Sequence, residues 1–122
     1  LTSIFFDFDK SALRSDQAGR MKDNLDILKD NPKMLIILGG HASEQCTPEY
    51  NMALSARRND TVKQYLIDAG IAPERIIVYA FGEDHPLKKG HDEASRSFNR
   101  RVDVLMWNAK LSEEQVLAET IR

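Results

Sequence analysis

Five consecutive apolar residues, Met34-Leu35-Ile36-Ile37-Leu38, run without a polar interruption into Gly39-Gly40. A half-buried strand alternates polar and apolar residues, and a surface helix repeats them every three or four. A short unbroken run ended by glycine therefore predicts a strand buried on both faces. Such a strand cannot sit at the rim of a sheet, so the rest of the chain must supply neighbours in the sheet and a layer above it.

The flanking patterns supply both. Ser3-Ile4-Phe5-Phe6 reads as a first strand, broken by the polar loop Asp7-Phe8-Asp9-Lys10. From Ser15, the residues Met21, Leu25 and Leu28 recur at helical spacing, with Ser15 as N-cap and Asn31-Pro32 as the stop. After a loop over residues 41–47, Thr47-Pro48-Glu49 predicts a second helix, with Thr47 as N-cap and proline at the first helical position, ending near Ala69-Gly70. Residues 76–79 and 102–106 read as two more strands, separated by a polar stretch holding Gly82, Pro86 and Gly90. Ser112 with Gln115 forms a capping-box pattern, so the tail 111–122 is expected to add a short helix to a domain spanning 1–110. The expectation is an α+β, βαβαββ-type two-layer sandwich, with helices packed on one mixed sheet.

The chain has 122 residues, room for one core, and 42% apolar with 30% charged residues places it among folded domains rather than disordered chains. A net charge of −2 gives no general attraction to nucleic acid, so no nucleic-acid partner is expected. Cys46 is the sole cysteine, which excludes an internal disulfide. No apolar run approaches the roughly 18 residues of a membrane helix, and Leu1-Thr2-Ser3 carries neither a signal peptide nor a lipid-acceptor cysteine. The chain is expected to be a piece of a longer protein, meeting a membrane only through parts outside it.

The residue with the strongest functional implication is Arg58. Leu54, Arg58, Val62 and Leu66 follow at four-residue steps and share one helical face, so a permanently charged guanidinium lies within an apolar stripe. Burying that charge alone is costly, so it must face a carboxylate or a wet cleft. Two readings stay open: an internal ion pair with Asp7, Asp9 or Asp103, or a site that grips a ligand carboxylate with two parallel hydrogen bonds. The loop that leaves Gly39-Gly40 as His41-Ala42-Ser43 lies beside a helix N-terminus, a place where backbone amides suit anions.

Gly40-His41-Ala42-Ser43-Glu44-Gln45-Cys46-Thr47-Pro48-Glu49-Tyr50-Asn51, followed by Leu54-Ser55-x-x-Arg58, resembles the signature loop and helix of OmpA C-terminal-like peptidoglycan-binding domains. Phe6-Asp7-Phe8-Asp9-Lys10 is similar to that family's first strand and loop, and Phe98-Asn99-Arg100-Arg101-Val102 to its closing Asn-Arg-Arg motif. Thr47-Pro48-Glu49-Tyr50-Asn51 and Gly90-His91-Asp92-Glu93-Ala94 are closest to the peptidoglycan-associated lipoprotein branch.

The resemblance implies non-covalent binding of the peptidoglycan stem peptide through diaminopimelate, with no enzymatic step and no cofactor. Arg58 would hold the carboxylate, Leu54 would line the pocket, and Phe8, Asp9, His41, Ala42 and Ser43 would complete it. Asn51, Asn99, Arg100 and Arg101 would buttress it. It also implies a periplasmic location, attached to the outer membrane, and anchoring of that membrane or an envelope complex to the wall. Alternative readings are an interaction domain for an envelope partner such as a Tol-system protein, or a flagellar stator-type domain.

Two positions depart from the family pattern. Ser43 stands where the family has an aspartate, which implies weaker binding, and neighbouring Glu44 points to the opposite side of an extended segment. Cys46 stands where glycine is usual, which implies a left-handed backbone strained for cysteine. Other constellations carry less. His41, Cys46, His85 and His91 fit no metal-ligand spacing, and Gly39-Gly40 lacks the lysine of a phosphate loop. A Cys46–His41 nucleophile pair has no third orienting group. Phe5, Phe6, Phe8 and Phe81 read as core or pocket wall.

Overall fold

The apolar run becomes β2 (Leu35–His41), the second interior strand of a four-stranded sheet in a computed structural model that describes residues 1–108, 117, 118 and 120. The remaining elements are β1 (Ile4–Phe5), α1 (Ala18–Asp30), α2 (Pro48–Asp68), β3 (Ile76–Gly82), α3 (Glu93–Asn99) and β4 (Arg101–Trp107). The sheet order is β1-β4-β2-β3. β2 pairs in parallel with β3 and antiparallel with β4, and β1 pairs antiparallel with β4, so the sheet is mixed as expected.

Both faces of β2 are buried, for different reasons. Ile36 and Leu38 join Met21, Leu25 and Leu28 of α1 and Val62 and Leu66 of α2 in one core. Ile37 is also fully buried. At Gly39, on Ile37's side of the strand, an added Cβ would lie 3.2 Å from both Phe81 and Thr120. At Gly40, on the helix side, it would meet the backbone oxygen of Ser55 at 2.3 Å. The two glycines therefore do not end the strand. They let α2 and the opposite cover approach it, and the strand continues through His41.

α2 begins as its sequence predicts, since Thr47 Oγ1 accepts a hydrogen bond from the Tyr50 amide at 3.1 Å and Pro48 occupies the first turn. It stops where Gly70 adopts φ 102° and the Ile71 amide donates back to the Leu66 carbonyl at 2.9 Å. α1 differs at its start: Ser15 opens a 3-10 turn (Ser15–Gln17), and Gln17 occupies the N-cap position without capping the helix, its side chain accepting instead from the Phe5 amide at 2.9 Å. The stretch between the last two strands holds one more helix than the patterning predicts. In α3, the Asp92 carboxylate accepts from the Ser95 amide at 2.9 Å. Leu117, Ala118 and Thr120 are helical, and the rest of the expected tail helix lies outside the described residues.

Candidate functional site

The stripe on α2 is buried throughout: Leu54, Val62 and Leu66 are at most 4% exposed and Arg58 is fully enclosed. Val62 and Leu66 belong to the core, whereas Arg58 lies one turn beyond it, beside the β1–α1 loop. Its Nε donates to the Lys10 carbonyl at 2.8 Å, Nη1 to the His41 carbonyl at 2.9 Å and Nη2 to the Asp7 carbonyl at 3.0 Å. Its Cζ sits 5.4 Å from the centre of the Phe6 ring.

None of the three aspartates proposed as an internal partner neutralises Arg58. Asp7 contributes only its carbonyl and turns its carboxylate toward Arg14 at 3.7 Å. The Asp9 carboxylate accepts from the Tyr50 hydroxyl. Asp103 is engaged by Ser3 and Arg101 and lies beside His41. Among the described residues Arg58 thus has carbonyl dipoles but no carboxylate at ion-pair distance. Burial, then the positive charge of Arg100, lower its pKa to about 10, with Asp9 opposing. It stays charged at neutral pH, and two of its five N–H groups remain after these three bonds.

Three side chains of α2 strap the β1–α1 loop to the helix. Arg58 holds the carbonyls of Asp7 and Lys10, Thr61 donates to the Ser11 carbonyl at 2.5 Å, and Tyr50 holds Asp9. Asp9 is the one non-glycine residue with positive φ, 54°, among those described. This corrects the expectation for Cys46, which is not left-handed and whose carbonyl accepts from Asn51 Nδ2 at 3.3 Å. Tyr50 and Thr61 were not singled out from the sequence, although their spacing of eight and three residues from Arg58 puts them near its face.

The remaining expected site residues divide. Ala42 is buried, with its amide bonded to the Gly82 carbonyl at 2.8 Å, and Ser43 donates to Gln45 Oε1 at 2.9 Å. His41 reaches Arg58 only through its carbonyl. Its imidazole stacks on Phe81 at 5.1 Å and lies 3.3 Å from Asp103. Because side chains alternate along a strand and Gly40 is the residue that faces α2, the His41 ring is on the face away from the helix. Phe8 is 49% exposed, so it is not core, whereas Phe6 and Phe81 are buried.

Glu44 does not turn toward Ser43. It bonds Arg96 at 2.7 Å and lies 3.1 Å from His91 Nδ1. Burial alone would raise its pKa, but the Arg96 bond, its own backbone amide and His91 outweigh that and hold it at about 2.

The Asn-Arg-Arg motif braces the same end of the sheet. Asn99 clamps the backbone of Lys88 from both sides, at 2.9 and 2.7 Å. Arg100 donates to the Phe6 carbonyl at 3.1 Å and to Glu93, while its Nη1 has no partner among the described residues. Arg101 holds Asp103 at 2.9 Å on the His41 face. Asn51 ties Cys46 to Glu83, with Nδ2 3.2 Å from Glu83 Oε1. Among the described residues, no three His, Cys, Asp or Glu side chains converge as metal ligands would.

A family model described as the OmpA family matches residues 5–100. A peptidoglycan-associated lipoprotein of Legionella pneumophila is 38% identical over 100 residues, covering 82% of this chain and 57% of that protein. Outer membrane porin F of Pseudomonas fluorescens is 39% identical over 101 residues, covering 83% of this chain but 31% of the porin. The chain therefore spans well under two thirds of either relative. The crystal structure of the peptidoglycan-associated lipoprotein from Burkholderia pseudomallei superposes with a TM-score of 0.82 at 31% identity, over 87% of this chain and 90% of that one.

Proposed function

The chain belongs to the OmpA family, and from that premise we propose that it binds the peptidoglycan stem peptide non-covalently, with a diaminopimelate carboxylate received by Arg58. The observation that carries this is a fully buried guanidinium with no carboxylate at ion-pair distance among the described residues. A second buried arginine, Arg100, adds positive charge and an unpartnered Nη1. Arg100 is paired with Glu93, so Arg58 is the cation left without a carboxylate, and a second buried positive charge beside it favours an incoming anion further. The carbonyls of Asp7 and Lys10 cover Arg58, so the β1–α1 loop must yield as the ligand carboxylate arrives. The carboxylate then sets an ionised acceptor, with two parallel bonds, against the ionised donor, a stronger pairing than the guanidinium makes with the neutral carbonyls it displaces.

This reading makes the chain a periplasmic anchor rather than an enzyme, tying the outer membrane or an envelope complex to the wall. Ser43 carries a neutral hydroxyl, and that hydroxyl is spent on Gln45. A carboxylate at that position would add a charge-assisted bond worth roughly 1.5–3 kcal/mol, or about 10- to 150-fold in affinity. The test is co-sedimentation with purified sacculi, followed by calorimetric titration of a diaminopimelate-containing tripeptide into the wild type and Ser43→Asp. Binding by the wild type, tightened at least tenfold in Ser43→Asp, is the expected result. No sedimentation with sacculi and no heat from the tripeptide would overturn the reading, and equal affinities would remove the role given to position 43.

A further inference from the structure

A cavity of about 310 Å³ opens beside the signature loop, with Ala42, Glu44, Glu83, Lys88, His91 and Asn99 among its walls. Most of these polar groups are already spent. Glu44 is held by Arg96 and His91, Asn99 by the Lys88 backbone, and the Lys88 ammonium lies 5.6 Å from the centre of the Phe98 ring. Glu83 is different. Its carboxylate accepts one neutral hydrogen bond, from Asn51, and has no ion-pair partner among the described residues. Asn51 also fixes its place relative to Arg58. Asn51 and Arg58 are seven residues apart on one face of α2, a rise of about 10 Å, with Leu54 between them.

Ala42 links the two charges, since its amide bonds the carbonyl of Gly82 beside Glu83 and the carbonyl of His41 beside it accepts from Arg58. The buried apolar Ala42 and Leu54 thus lie between the anion in the cavity wall and the enclosed cation, which is reached as the β1–α1 loop yields. We infer that Glu83 receives the ammonium of the ligand whose carboxylate meets Arg58, so that the site reads a molecule with opposite charges set apart by methylene groups. This rests on the stem-peptide reading above and deepens it. A diamino dicarboxylic acid has that layout, and its hydrocarbon segment matches the apolar stretch between the charged ends. Lys89, exposed at the mouth, suits an additional carboxylate of such a peptide.

The experiment is a chemical-shift and calorimetric titration of the intact chain with L-alanyl-γ-D-glutamyl-meso-diaminopimelate. A second titration uses the same tripeptide acetylated at the diaminopimelate amine alone. Glu83→Gln is the variant, because glutamine keeps an oxygen for Asn51; its urea midpoint should match the wild type. The wild type should prefer the free-amine peptide by about tenfold or more, the weight of one charge-assisted bond. Glu83→Gln should erase that preference, weakening the free-amine peptide about tenfold and leaving the acetylated one unchanged. If both peptides bind and the variant keeps the wild-type preference, or weakens both equally, the role of Glu83 is overturned while the stem-peptide reading stands. If neither peptide binds the wild type, both fall together.

Discussion

Arg58 Nη1 donates to the carbonyl of His41 at 2.9 Å, while the imidazole of the same His41 lies 3.3 Å from Asp103 on the opposite face of the sheet. One strand residue therefore joins two polar clusters that share no side chain. The helix-side cluster carries the buried cation of the candidate site, and the other holds a carboxylate, an imidazole and Arg101 in contact.

Arg58→Lys should cost stability even though charge is kept. A lysine ammonium is a single point and cannot span the carbonyls of Asp7, Lys10 and His41, which three separate guanidinium nitrogens now satisfy. Leaving a buried acceptor unpaired costs about 1–3 kcal/mol. Urea denaturation should give a loss of at least about 2 kcal/mol with an unchanged m-value. A variant as stable as the wild type would mean that the fork geometry contributes nothing.

Acid should destabilise the domain in two stages. Burial lowers the pKa of His41 below its ordinary 6.5, although Asp103 opposes the shift. The folded chain therefore takes up that proton less readily than the unfolded one, and stability is full above pH 6.5 and falls below it. Burial would raise Asp103, but His41, Arg101 and Ser3 outweigh it and bring it from 3.8 to about 2, while Glu44 moves from 4.5 to about 2. Both carboxylates contribute stability above their unfolded values, and that stability is lost as pH falls through about 2. Urea midpoints measured from pH 8 to 3 should fall first near pH 6 and again below 4.5. His41→Gln should remove the first fall and make the second shallower, because Asp103 loses its first partner while Glu44 keeps Arg96 and His91.

Gly40→Ala should be among the most damaging single changes. The new methyl would lie 2.3 Å from the Ser55 carbonyl oxygen, which is helix backbone and cannot rotate away. Overpacking of this kind costs about 1–3 kcal/mol where neighbours can adjust, and should reach the top of that range or beyond here. Gly19→Ala is the control: its methyl meets nothing within 4 Å at an exposed position of α1. It should raise stability by about 0.5 kcal/mol through the unfolded chain. Thermal melts of the two variants should move in opposite directions.

These residues also mark how far the sequence is readable. Leu54, Arg58, Val62 and Leu66 announce a buried arginine by spacing alone, because helical periodicity is a property of side chains. Its partners were not legible, since they are carbonyls of residues 7, 10 and 41, and any residue type can offer a carbonyl. Gly39-Gly40 has the composition of a strand end, yet the glycines serve close packing and the strand runs on, which sets the His41 ring on the far face. α3 was missed because residues 93–99 contain too few apolar side chains for a period, and its one local signal is the Asp92 cap on Ser95. The acceptor role inferred for Glu83 depends on Asn51, which is 32 positions away in sequence.

Tyr50→Phe should loosen the cover of Arg58 without unfolding the domain. The Tyr50 hydroxyl holds the Asp9 carboxylate, and Asp9 keeps a left-handed backbone, φ 54°, within the β1–α1 loop. Such a conformation persists only while its surroundings impose it. Both side chains lie at the surface, so the global unfolding midpoint should stay at the wild-type value. Local opening should increase instead: the Lys10 amide, which now donates to the Asp7 carbonyl at 3.1 Å, should exchange with solvent several-fold faster. If loop opening gates access to Arg58, stopped-flow association of the stem tripeptide should quicken by the same factor. Exchange that speeds up with no change in association rate would show that the ligand reaches the guanidinium by a route that does not pass the loop.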